Sequence, residues 1–189
     1  MPPGEPARTT IRRTRTPLIG PLLLVGVAVL VGFLVHQSLA PSSVATAGGV
    51  TPFEEDTSAV SRLDPDLLDA LRRAATDASR QGIEVVVNSG WRSADDQERL
   101  LEDAIARYGS REEAARWVAT PETSAHVSGD AVDVGPAAAA AWLSRYGAAY
   151  GLCQTYRNEL WHFELHPAAV TDGCPPMYDD PTDDPRMQR

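Results

Sequence analysis

An uncharged apolar run from Leu18 to Val35, continuing weakly to Ala40, divides this chain into two parts that must fold in different surroundings. The run is about long enough to cross the hydrocarbon core of a bilayer. Arg8, Arg12, Arg13 and Arg15 crowd the segment before it, and the remainder is acidic. That asymmetry keeps the N-terminus in the cytoplasm and sends the rest across. Residues 18–40 therefore read as a single transmembrane signal-anchor behind a cytoplasmic arm, residues 1–17. A cleaved signal peptide is the alternative. Ala45-Thr46-Ala47 offers a small-x-small site before Gly48, although far beyond the apolar run. On either reading the remainder works outside the cytoplasm, held at the cell membrane or secreted.

The two cysteines, Cys153 and Cys174, agree with export, because outside the cytoplasm such a pair usually bridges. The bridge would close a loop of about 20 residues and add about 3 kcal/mol. A metal site on these cysteines is disfavoured, since no CxxC spacing is present. The formal net charge is −9, which excludes a nucleic-acid partner by repulsion from the phosphate backbone. With 189 residues, 43% of them hydrophobic, the chain has material for one domain plus appendages.

Residues 41–60 are rich in Ser, Thr, Ala and Gly and read as a linker, so the folded domain is expected over 61–176. Asp64-Pro65 is a helix start, and Leu67, Leu71, Ala74, Ala75 and Ala78 recur at helical spacing until Gly82. Ile83 to Asn88 reads as a strand. Ser93 caps a second helix running to Tyr108, and Ser110 with Glu113 forms a capping box for a short third one. Ala131 to Val134 is a strand and Pro136 to Tyr146 a helix. Residues 152–156 and 160–165 read as strands joined by a tight turn at Arg157-Asn158. The tail, 177–189, is acidic and Pro-rich and is expected to be disordered. The sum is an α+β domain with a small central antiparallel sheet flanked by helices.

Three clusters carry chemistry. In Ser124-Ala125-His126-Val127-Ser128-Gly129-Asp130-Ala131-Val132-Asp133, a His and an Asp can meet at one metal if the chain turns at Gly129. In Glu159-Leu160-Trp161-His162, Glu159 precedes the strand and can curl towards the face of His162. Trp161 reads equally as a pocket wall or as core. Of the four histidines, His36 belongs to the apolar segment and His166, followed by Pro167, has no comparable context. Two His and one carboxylate with a fourth position open to water make a standard catalytic zinc sphere. Such an ion acidifies water and polarises a carbonyl. The chemistry also needs a base, and Glu159 is the candidate. The third cluster, Ser89-Gly90-Trp91-Arg92-Ser93 with Gln97, ends a strand in Gly and presents an Arg. Arg92 can grip a carboxylate or a developing oxyanion, or form a surface ion pair; Gln97 can face the same cleft.

Taken in order, the clusters resemble the VanY-like D-alanyl-D-alanine carboxypeptidases, a zinc DD-peptidase family that reads SGxRS…Q, SxHxxGxAxD, ExWH. The resemblance spans about Leu67 to Leu165. Leu160 stands where that family usually has Pro, and the segment from Tyr156 to Glu159 is shorter than in many relatives. The resemblance implies the hedgehog/DD-peptidase fold, Zn2+ on His126, Asp133 and His162, and Glu159 as general base. It implies that Arg92 steadies the carbonyl oxygen, that Ser124 and Gln97 help bind substrate, and that Tyr156 lines the pocket. The implied substrate is a peptidoglycan stem peptide ending in D-Ala, cut by a D,D-carboxypeptidase. An L,D-carboxypeptidase or cross-link endopeptidase would use the same residues. A non-catalytic zinc-containing cell-wall binding module is the alternative from another class.

Overall fold

The computed structural model describes residues 49–188. The cytoplasmic arm, the expected membrane segment 18–40 and the first part of the linker lie outside the described residues. Among the described residues no helix is long and apolar enough to cross a membrane.

The helices are α1 (Ser58–Ser61), α2 (Pro65–Ser79), α3 (Ala94–Tyr108), α4 (Arg111–Ala115), α5 (Ala125–Ser128), α6 (Ala137–Tyr146) and α7 (Ala169–Asp172). The strands β1 (Val86–Ser89), β2 (Ala131–Gly135), β3 (Leu152–Gln154) and β4 (His162–Leu165) form one antiparallel sheet in the order β1-β2-β4-β3. Helix starts follow from their caps. The Asp64 carboxylate accepts from the backbone N–H groups of Asp66 and Leu67 ahead of Pro65, Ser93 accepts from Asp96, and Ser110 accepts from Glu113.

Strand alternation sorts the sheet into two faces. Val132, Val134 and Phe163 point to one side, where they are buried with Leu67, Leu71 and Ala74 of α2 and Ala139 and Leu143 of α6. That side is the hydrophobic core. Asp133 and His162, paired in register across β2 and β4, point to the other. A satellite cluster of Leu101, Ala104 and Ala114 joins α3 to α4 beyond the sheet.

Three expectations are corrected. The linker was expected to run to residue 60, yet Val50 exchanges both backbone hydrogen bonds with Val87 (3.1 and 2.7 Å), and Pro52 and Val60 are fully buried. The domain therefore begins by residue 50, because this short segment completes the pairing of β1. The strands expected over 152–156 and 160–165 are shorter, Leu152–Gln154 and His162–Leu165. Between them the chain leaves the sheet, tethered by Asn158 Nδ2 to the Arg116 carbonyl (2.7 Å) and by Gln154 Nε2 to the Leu160 carbonyl (2.6 Å). The tail, expected to be disordered, packs instead. It forms 3-10 turns at Pro181–Asp183 and Pro185–Gln188, with Asp180 and Asp184 buried. Arg116 meets Asp180 at 2.9 Å and Arg186 meets Asp184, so the acidic charge that composition assigned to solvent is neutralised inside.

Candidate active site

The site is built where the non-core face of β2 and β4 meets α5. Asp133 stands opposite His162 on β4 and opposite Ser89 on β1, so register alone puts three cluster residues together. His126 arrives from α5, a single turn that Gly129 ends in the left-handed conformation, φ +87°. A Cβ at Gly129 would stand 2.6 Å from the Arg62 carbonyl oxygen, so the turn that delivers Asp133 after His126 requires glycine twice over. Gly90 is held as tightly: its Cβ would meet the Ala59 carbonyl at 2.0 Å.

Both imidazoles are fixed by the nitrogen that does not face the site. His126 Nδ1 donates to the Gly90 carbonyl at 2.8 Å, and His162 Nε2 donates to Glu164 Oε1 at 3.2 Å. The remaining nitrogens converge on one oxygen: His126 Nε2 is 3.4 Å and His162 Nδ1 3.2 Å from Asp133 Oδ1. One donor atom from each residue lies within 4.8 Å of the other two, a spacing that admits a metal ion. The chemistry of the donor set fits one. With Nδ1 turned to the Gly90 carbonyl, His126 presents its other ring nitrogen towards a carboxylate oxygen, an arrangement that a cation between them would satisfy.

The charges follow from this geometry. Burial opposes ionisation of Asp133, but hydrogen bonds from His126 and His162 outweigh it and hold the carboxyl well below its usual range. Burial opposes charge on His162 too, and Asp133 and Glu164 on either side of the ring overcome it, raising the metal-free imidazole to about 9. Glu159 lies outside the strand, in the turn before β4. Burial, with Asp133 adding to it and His162 and Arg92 opposing, raises its carboxyl to about 7.

These side chains floor a cavity of about 410 Å3. Arg92, Ser124, His126, Asp133, Glu159 and His162 line it, together with Tyr108, Trp117 and Met187. Arg92 is held from two sides: Nη1 donates to Gln97 Oε1 (2.7 Å) and Nη2 to Ser89 Oγ (2.6 Å). Other guanidinium N–H groups stay available to a ligand.

The structure thus brings together every expected site residue, with two roles refined. Gln97 lines the cavity, but its amide is committed at both ends, to Arg92 and, through Nε2, to the Ala119 carbonyl at 2.8 Å. It orients Arg92 from the cavity wall. Trp161 is 44% exposed in a turn, a cavity wall and not core. Ser124 is nearly buried on the cavity wall, and the Tyr156 ring packs 5.3 Å from that of His162 with its hydroxyl on Asp184. Cys153 and Cys174 are bridged. Sequence reasoning missed Glu164, Asp184 and Arg186. Glu164 had a signal, since residues two apart on a strand share a face. The other two sit in a tail whose composition points to solvent.

A family model, described as VanY, D-alanyl-D-alanine carboxypeptidase, matches residues 60–168. A D-alanyl-D-alanine carboxypeptidase of Enterococcus faecalis is 28% identical over 54% of this chain and 46% of its own length, so the chain spans less than half of that relative. Among solved structures, the vancomycin resistance D,D-pentapeptidase VanY from a VanB-type resistance cassette, a variant in complex with Zn(II), aligns with a TM-score of 0.54 at 24% identity. That alignment covers 57% of this chain and 76% of the other. The LdcB LD-carboxypeptidase aligns with a TM-score of 0.54 at 24% identity over 68% of this chain and 71% of its own. These two likenesses are of fold: an α+β domain with a small antiparallel sheet.

Proposed function

Because the chain belongs to the VanY family of D-alanyl-D-alanine carboxypeptidases, we propose that it is a zinc-dependent D,D-carboxypeptidase that removes the terminal D-Ala from peptidoglycan stem peptides. The observation that carries this reading is the convergence of His126 Nε2, His162 Nδ1 and Asp133 Oδ1 on the floor of a cavity that also holds Glu159 and Arg92. A non-catalytic binding module needs neither a half-buried base nor an anchored guanidinium.

His126, Asp133 and His162 would hold the ion. Bound there, zinc supplies Lewis acidity, which polarises a carbonyl and brings the pKa of water towards 7. The protein's own residues do the rest. Glu159 takes a proton from the attacking water and returns it to the departing amine nitrogen. Arg92, oriented by Gln97 and Ser89, donates to the carbonyl oxygen as negative charge develops on it. Ser124, Tyr156 and Trp161 shape the walls around the peptide.

The Cys153–Cys174 bridge and the apolar run before the domain support an extracytoplasmic site, tethered to the membrane by residues 18–40. The test is product analysis. The zinc-loaded full chain is incubated with a stem pentapeptide ending in D-Ala-D-Ala and with the tetrapeptide, with and without chelator, and products are weighed by mass spectrometry. Chelator-sensitive loss of one D-Ala from the pentapeptide is expected. Loss from the tetrapeptide alone would replace the reading by an L,D-carboxypeptidase, and no cleavage of either would favour the binding module.

A further inference from the structure

The second nitrogen of His162 leads away from the cavity into a closed polar network. Nε2 donates to Glu164 Oε1, and Glu164 is only 4% exposed. Both Glu164 oxygens accept from Arg186, Oε2 from Nη1 at 2.6 Å and Oε1 from Nη2 at 3.1 Å. The same guanidinium grips both oxygens of fully buried Asp184, Nε at 3.1 Å from Oδ1 and 2.9 Å from Oδ2, and Nη2 at 2.5 Å from Oδ2. Asp184 in turn accepts from the Tyr156 hydroxyl at 2.9 Å, and the Tyr156 ring lies against His162. Arg186 therefore reaches His162 by two routes, through Glu164 to a ring nitrogen and through Asp184 and Tyr156 to the ring face.

We propose that Arg186, carried by the C-terminal segment, is a positioning residue for the metal centre: by holding Glu164 it fixes which nitrogen of His162 carries the proton and which faces the ion. The inference rests on the metal reading above. Two physical arguments support it. A carboxylate behind a ligating imidazole orients the ring and raises its basicity, and loss of such a partner weakens metal binding. Once His162 is neutral, as a metal ligand must be, two buried carboxylates also face one guanidinium, and the net negative charge favours a cation on the far side of the ring. The segment is continuous with the site itself, since Pro181 and Met187 line the same cavity.

The experiment measures zinc affinity of the full chain by competition with a chromophoric chelator, for wild type, R186M and R186K. The visible spectrum of the Co(II)-loaded proteins is the second readout. R186M should bind zinc about 10–100-fold more weakly and shift the cobalt bands while circular dichroism shows a folded protein, and R186K should recover part of both. Wild-type affinity and spectrum in folded R186M would overturn the inference alone. A wild-type chain that binds no zinc would instead remove the metal reading and this inference with it. Should R186M not fold, E164Q asks the same question at the next residue, keeping the side chain's size and removing its charge. Unchanged affinity and spectrum there would overturn the inference equally.

Discussion

At the scale of single residues, the Glu159 carboxyl sits where ionisation is costly and a base is wanted. In the metal-free protein its folded pKa is about 7, raised from 4.5. Between these values the folded chain keeps a proton that the unfolded chain has released. Its contribution to stability is therefore full below about 4.5 and lost as pH rises to about 7. E159Q lacks that titration. Denaturant unfolding of metal-free proteins should show the stability of E159Q rising relative to wild type from pH 5 to pH 8, and a constant difference would contradict the burial argument. Arg92 predicts a different signature. Its backbone N–H donates to the His126 carbonyl at 3.0 Å and survives truncation of the side chain. R92A should therefore keep its fold and its metal but lose about 10²–10³-fold in kcat, with KM less affected. Both residues were legible in the sequence because each sits at a break in regular structure, Glu159 before a strand and Arg92 after one. Glu164 was overlooked although His162 two positions earlier marked its face, because a Glu is ordinarily assigned to solvent.

At the scale of elements, the site depends on one four-residue helix and the glycine that ends it. G129A forces a left-handed backbone on a residue with a Cβ and drives that Cβ against the Arg62 carbonyl. It should cost about 1–2 kcal/mol from conformation alone, more from the clash, and should lower zinc affinity because His126 and Asp133 lose their relation. Chemical denaturation and metal titration would check the two effects. The long helices were readable because their caps and apolar stripes are local: Asp64 with Pro65, Ser93 with Asp96, Leu67 with Leu71. The failures are all non-local. Val50 becomes part of the sheet only by pairing with Val87, and the 155–161 connection leaves the sheet because Arg116 and Tyr178, distant in sequence, hold it. Composition carries no trace of such partners.

At the scale of the whole molecule, the sheet separates stability from chemistry. One face is closed by Phe163, Leu67 and Leu143, and the other offers Asp133 and His162 to the cavity, with Glu164 behind His162. A single alternation along β2 and β4 sets both, so the core holds the ligands in register. The C-terminal segment then completes the second face, and residues 180–186 belong to the domain rather than trailing from it. The central claim is that a metal held by His126, Asp133 and His162 works with Glu159 as base. One measurement tests it most directly: zinc content and D-Ala release from a stem pentapeptide, determined side by side for the wild-type full chain and E159Q. The account predicts one zinc per chain in both, with release by E159Q reduced at least about 10²-fold. Release by E159Q at the wild-type rate, with zinc bound, would contradict it.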